Sequence, residues 1–180
     1  TYYRDVVATI EQKGFRVKLG ANIYKNTYGY LASEQERADD FNRMVADDTV
    51  KMILFSGGYG ANEILPLIDY EAVARHPKLY SSYSDGTNIL NAVYAKTGLV
   101  VHYGIGAGEF RDMQPYDYAQ FEAHFIQGNE ARALCGNGAW KTVRPGVCEG
   151  ILVGGHVAVF AWQLGGAYFR YDAKERYLLF

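Results

Sequence analysis

At 180 residues and a net charge of −2, the chain has the size of one domain with a sizeable core, or of one domain and a fraction. Apolar residues make up 49% and charged residues 21%, the balance of an ordinary folded globular protein. Without a basic cluster or excess positive charge it is not an electrostatic nucleic-acid binder, and no apolar run approaches the ~20 residues of a membrane span.

The two cysteines, Cys135 and Cys148, make no disulfide framework and lack metal-ligand spacing, and the four histidines are scattered. The expectation is of reduced or buried thiols in a cytoplasmic setting, with no metal and no cofactor. Nothing reads as a signal peptide, although the chain opens inside a predicted helix and leaves room for an upstream segment. The 16 tyrosines suit a ligand groove or plain core filling equally.

In chain order, Val6, Val7 and Ile10 share one face of a helix over 1–13, which Gly14 ends. Residues 15–19 alternate apolar and polar, as in a strand. A loop over 20–32 leads to Ser33, with Glu36 three residues on: a capping box that starts a helix running to about Asp47. Residues 50–55 form a near-continuous apolar run, as in a strand buried on both faces of a parallel sheet. The glycine-rich turn Ser56-Gly57-Gly58-Tyr59-Gly60 follows, then a short helix over 63–68 and another capped by Asp69 that ends near Pro77. Strands over 79–83 and 99–103 flank a helix over 85–95.

Beyond Tyr103 the pattern changes. Residues 104–113 read as a loop, 115–127 as a helix carrying Tyr118, Phe121 and Phe125, and 128–146 as an irregular connection. Strands over 147–153 and 175–180 enclose a helix over 157–164. The fold class is therefore α/β: a parallel sheet with helices on both faces over 1–127, a linker over 128–146, and the opening of a second domain over 147–180.

Ligands of such sheets bind outside the carboxyl ends of the strands. Two such ends coincide here, the glycine turn and Ser82-Tyr83-Ser84-Asp85-Gly86. Ser84 stands between a strand and a helix, as a nucleophile elbow requires. On this stretch alone the plainer reading is commoner, with Ser84 or Asp85 only capping the helix. The glycine turn lacks the spacing of a phosphate loop. Gly58 there brings a bare N–H to the crevice, as an oxyanion hole needs, or merely makes a tight turn. None of His76, His102, His124 or His156 is marked as a general base, although His156 follows Gly154-Gly155 towards the crevice.

A series of short motifs, in order, resembles the LD-carboxypeptidase family, which includes the microcin C self-immunity peptidases. It comprises Gly29-Tyr30-Leu31-Ala32, Glu36-Arg37-Ala38-Asp39-Asp40-Phe41-Asn42, Gly57-Gly58-Tyr59-Gly60-Ala61-Asn62, Leu65-Pro66-Leu67-Ile68-Asp69-Tyr70, His76-Pro77-Lys78, Tyr83-Ser84-Asp85, Ala95-Lys96-Thr97-Gly98-Leu99-Val100, and Glu149-Gly150 before Gly154-Gly155. The resemblance implies a cytoplasmic, homodimeric serine peptidase with a Ser-Glu-His triad. It implies cleavage of an amide between L- and D-centres of a small murein-derived peptide, in peptidoglycan recycling. Ser84 becomes the nucleophile, and the N–H groups of Asp85 and Gly58 the oxyanion hole. The triad Glu and His fall beyond Phe180, so the 180-residue chain alone is expected to be inactive.

Four positions depart from the family's usual pattern. Ser56 and Glu63 stand where arginine is usual, Ser82 where glycine is usual, and His156 where asparagine is usual. The immunity branch also lacks the first arginine. Two rival readings follow: an immunity-type amidase acting on peptidyl- or aminoacyl-nucleotides, and a non-catalytic module that holds a peptide with its tyrosines.

Overall fold

The computed structural model describes residues 2–55, 58–128, 136, 138, 141–170 and 172–180. Ser56, Gly57, Cys135 and most of the expected linker before residue 141 lie outside the described residues. Cys148 is a free, exposed thiol.

Local capping decides where the early helices begin. Helix α1 (Tyr2–Gln12) buries Val6 and Ile10. Helix α2 (Glu34–Ala46) starts from the expected capping box: Glu36 N–H donates to the Ser33 hydroxyl, and Ser33 N–H to the Glu36 carboxylate. Hydrogen bonds from Thr27, Lys25 and the Ser33 amide hold the Glu36 carboxyl down at about 2. Helix α3 (Tyr70–Arg75) is capped by Asp69, which accepts Ala72 N–H at 2.8 Å, and closes at His76 before Pro77. His76 also meets Asp48, its Nδ1 lying 3.2 Å from a carboxylate oxygen.

Strands β1 (Met52–Leu54), β2 (Leu79–Ser82) and β3 (His102–Tyr103) form a parallel sheet in the order β1-β2-β3. The register pairs Met52 with Leu79 and Ser82 with Tyr103. Side chains along β1 alternate between two cores. Ile53 joins Phe41 and Val45 of α2 and Leu90 and Val93 of α4 (Thr87–Thr97). Met52 and Leu54 pack on the cluster of Val6, Ile10, Phe110 and Phe121, from α1, the 104–113 segment and α5 (Pro115–Phe121). Helices therefore cover both faces, as the apolar strands require.

A second parallel sheet joins β4 (Ile151–Val153) to β5 (Tyr177–Leu179), with α6 (Val157–Gln163) between them. Val153, Phe160 and Phe169 make its core. Two buried hydrogen bonds tie this segment to α4: Asn91 Nδ2 donates to the Gly154 carbonyl at 2.9 Å, and Gln163 Nε2 to the Asn88 carbonyl at 2.7 Å.

Several expectations need correction. Of residues 15–19, Phe15 and Val17 pack against the second cluster while Leu19 is exposed, and the segment pairs with no strand among the described residues. Alternation reports one apolar face; a ladder needs a neighbour with free backbone groups. Residues 104–113 are not all loop: Gly108–Arg111 is a 3₁₀ turn that seats Phe110, 2% exposed, against α1. The helix expected over 63–68 is the 3₁₀ segment Ala61–Leu67, with Pro66 inside it. The helix expected to run through Gln127 changes to π geometry over Glu122–Ile126.

His102 of β3 lies edge-on to Phe125, with ring centroids 4.6 Å apart. Burial, and secondarily the charge of His124, holds its imidazole below the ordinary value. The unfolded chain therefore takes up the proton first. Stability is full above the unfolded value of about 6.5 and falls as the pH drops below it towards the depressed folded value. Thermal melts between pH 7.5 and 5.5 should show a steeper acid loss in the wild type than in His102→Gln. Equal slopes would remove His102 as a source of acid sensitivity.

Candidate active site

Strand β2 ends at Ser82, and Tyr83 continues extended with φ −149° and ψ 178°. Ser84 then turns to φ 55°, and it is the one non-glycine residue with positive φ among those described. A left-handed serine costs of the order of 1–3 kcal/mol and persists only where its surroundings impose it. Four hydrogen bonds impose it here. Ser84 N–H donates to the Tyr103 hydroxyl at 3.2 Å, and Gly86 N–H to the Tyr83 carbonyl at 3.0 Å. The Thr87 hydroxyl donates to the Ser84 carbonyl at 2.6 Å, and Asn88 Nδ2 to the Asp85 carbonyl at 3.2 Å.

The capping alternative does not hold. Ser84–Gly86 is a 3₁₀ turn, and α4 begins at Thr87 after Gly86, with no side chain capping either element. The Asp85 carboxylate reaches instead to the neighbouring loop, accepting Ala61 N–H at 2.8 Å and Asn88 Nδ2 at 2.9 Å. Ser84 itself is half-buried, and no described residue is hydrogen-bonded to its Oγ.

Gly58, Asp85 and Ser84 come to adjacent strand ends, as expected. Gly58 is exposed at φ 156°, which L side chains rarely adopt, and a Cβ there would meet nothing within 4 Å. Its backbone thus borders open space. Among the described residues no acceptor is paired with the N–H of Gly58 or Asp85.

The segment after β4 also reaches the elbow. His156 N–H donates to the Thr87 hydroxyl at 3.0 Å, while the His156 side chain is exposed. A Cβ on Gly155 would lie 2.7 Å from Thr87 Oγ1 and 2.9 Å from the Tyr103 ring, so only glycine lets this loop pack so closely. None of the four histidines is hydrogen-bonded to Ser84.

Sequence reasoning missed Tyr103, Thr87 and Asn88. Tyr103 ends β3, and its place beside Ser82 follows from strand register, which local pattern does not carry. Thr87 and Asn88, 0% and 5% exposed, are polar residues in an apolar helix, and that contrast was the available signal.

A cavity of about 290 Å³ opens beside the elbow, lined by Asn62, Asp85, Asn88, Trp162, Gln163 and Tyr168 among others. A larger one, about 600 Å³, lies between α1 and residues 104–120 and includes none of Ser84, Asp85 or Gly58. Among the described residues, no group of three or more His, Cys, Asp or Glu side chains could hold a metal ion, and no helix is long and apolar enough to cross a membrane.

A strained serine at the end of a parallel strand, with Gly58 just past the end of the neighbouring one, defines an α/β protein of the strand–elbow–helix class. The chain belongs to the LD-carboxypeptidase family, whose N-terminal domain matches residues 2–104. It is 34% identical over 179 residues to a probable murein peptide carboxypeptidase of Bacillus subtilis (strain 168), which covers 94% of this chain and 54% of that protein. The chain thus spans about half the length of the curated relatives it matches. Its fold matches that of an MccF-like protein from Bacillus anthracis str. Ames, with a TM-score of 0.80 at 24% identity over 98% of this chain and 60% of that one. Microcin C7 self immunity protein MccF, solved in complex with aspartyl sulfamoyl adenosine, matches with a TM-score of 0.76 at 25% identity, over 94% of this chain and 59% of that one.

Proposed function

We propose that this chain carries the nucleophile half of a serine carboxypeptidase that cleaves the amide between an L-centre and a D-amino acid in murein-derived peptides. The observation that carries this reading is Ser84 held at φ 55° at the head of α4. Strain of that kind lifts a side chain out of the sheet, and a residue that only capped a helix would have no need of it.

In this reading Ser84 Oγ attacks the scissile carbonyl carbon while its proton passes to a general base. The carbonyl oxygen becomes an oxyanion and accepts hydrogen bonds from the N–H groups of Asp85 and Gly58. The C–N bond then breaks, the departing amine takes the proton, and the acyl group remains on Ser84. Water hydrolyses that ester and restores the serine. The family resemblance assigns the base and its carboxylate partner to a His and a Glu after Phe180. None of the four histidines is hydrogen-bonded to Ser84, which supports that assignment.

A second reading has its own support in the MccF structure solved with aspartyl sulfamoyl adenosine. Position 63 offers no arginine to a substrate carboxylate. Glu63 is paired with Arg37, whose guanidinium also donates to the Gly60 carbonyl at 2.7 Å and the Ala32 carbonyl at 3.1 Å. An aminoacyl-nucleotide is the substrate class of this alternative.

Incubating the full-length gene product separately with a murein tetrapeptide and an aminoacyl-sulfamoyl-adenosine distinguishes them. Release of the terminal D-amino acid is the expected result. Cleavage of the nucleotide conjugate alone would favour the second reading. Tight peptide binding with neither cleaved, and no fluorophosphonate adduct on Ser84, would leave a binding module.

A further inference from the structure

The two backbone donors assigned above lie on different loops, Asp85 on the elbow and Gly58 on the turn after β1. They must keep one geometry, because an oxyanion is held only by donors about 2.7–3.1 Å away. Gly58 has no side chain, and a Cβ there would meet nothing within 4 Å, so no side-chain packing at that position places it. Where its N–H lies is therefore decided by what anchors the chain on either side.

Both anchors come from the elbow. Before the turn, the Phe55 carbonyl accepts the Ser82 hydroxyl at 2.6 Å. After the turn, Ala61 N–H donates to the Asp85 carboxylate at 2.8 Å. Ser82 is 0% exposed, so water does not compete for its bond. The Asp85 bond is charge-assisted and lies at the start of the Ala61–Leu67 helix, where the backbone N–H groups favour an anion. Asn88 Nδ2, at 2.9 Å, holds the other carboxylate oxygen and so fixes the direction in which Asp85 reaches. Arg37 adds a third tie on the far side, at the Gly60 carbonyl.

We propose that Ser82 and Asp85 are positioning residues: their side chains hold the chain at Phe55 and at Ala61, on either side of Gly58, and so lock the Gly58 donor to the elbow that carries Ser84. Asp85 thus has two separate duties. Its N–H is one oxyanion donor, and its carboxylate sets the position of the other. The inference rests on the reading of Ser84 as the nucleophile. It adds side-chain roles that the elbow pattern does not contain, since the usual glycine at position 82 has no hydroxyl to give.

The test uses the full-length gene product and a fluorophosphonate probe, followed by mass measurement of the adduct on Ser84. Asp85→Ala keeps the Asp85 position's N–H and frees Ala61. Its maximal labelling rate should fall about 10–100-fold, while the probe concentration giving half that rate stays within about threefold, as expected when a donor shifts by up to an ångström. Asp85→Asn retains an acceptor for Ala61 N–H, with its NH2 in the place of the oxygen that Asn88 Nδ2 now meets; Asn88 can turn its own amide oxygen to that NH2, and the variant should recover most of the rate. Ser82→Ala, which removes the grip at Phe55, should lose about tenfold. If Asp85→Ala does not fold, Asp85→Asn and Ser82→Ala carry the test with the same readout. Wild-type labelling rates in both Asp85→Ala and Ser82→Ala would overturn the grip and leave the nucleophile reading intact. An Asp85→Asn enzyme as slow as Asp85→Ala would also overturn it. Labelling that persists in Ser84→Ala would overturn the nucleophile reading, and the grip with it.

Discussion

Replacing Ser84 with alanine in the full-length gene product should lower kcat on its substrate by roughly 10⁴–10⁶-fold, with the fold and the stability little changed. The size follows from the proposed role: if Ser84 is the nucleophile, no acyl-enzyme forms without Oγ, and only the proposed oxyanion donors and binding remain to help water attack. The stability expectation follows from the structure. No described residue is hydrogen-bonded to Ser84 Oγ, so its loss leaves no partner stranded. The N–H and carbonyl of residue 84, which tie the turn to Tyr103 and Thr87, are backbone groups and survive the change. Ser84→Gly should even relieve strain, since glycine adopts φ 55° freely, and so should be inactive yet at least as stable. Paired kinetics and thermal melts check both statements. An alanine variant within about tenfold of wild-type kcat would end the nucleophile assignment.

Gly86→Ala should be the most damaging single methyl group in the elbow. Gly86 has φ −58°, which any residue adopts, so it is not glycine for its backbone angle. It is glycine for space. A Cβ there would lie 2.1 Å from Ser82 Oγ, 2.6 Å from Ser82 Cβ and 3.2 Å from the Phe55 ring. Ser82 has little freedom to withdraw, because it is fully buried and its hydroxyl is bonded to the Phe55 carbonyl. Overpacking of this kind costs about 1–3 kcal/mol. The displacement it forces reaches Ser84 directly, so activity should fall by about 100-fold or more.

The family's usual glycine at position 82 suggests the remedy. In a Ser82→Gly background the added methyl finds room, and Gly86→Ala should then cost far less. Denaturant melts of the two single variants and the double variant should give a coupling of about 0.5–3 kcal/mol in favour of the double. Strictly additive costs would show that the two residues do not share this space.

The features legible from sequence are those governed within a few residues. The Ser33–Glu36 capping box, the Asp69 cap and the apolar run of β1 each predict their element, because capping and periodicity act over one turn or one strand. The elbow's location was legible for the same reason. Its conformation was not: a serine between strand and helix has the same local pattern whether it caps or projects, and only φ separates the two. The alternation over 15–19 was misleading because one apolar face serves an unpaired extended segment as well as a paired strand. Phe110 gave no signal, since one aromatic residue among glycines has no period.

By itself, then, the sequence determined the class of fold, the order of its elements, the family, and the place of Ser84 at a strand's end. The tertiary structure decided what surrounds that serine. Ser84 meets Tyr103 through the β2–β3 register, Asp85 meets Ala61 across a crossover, and Thr87 meets His156 through the segment after β4. These partners are 19, 24 and 69 residues apart in sequence. No local preference encodes such pairs. They exist because helices packing on both faces of the sheet bring its strand ends to one edge, where buried and half-buried polar groups must find acceptors and donors among whatever arrives there.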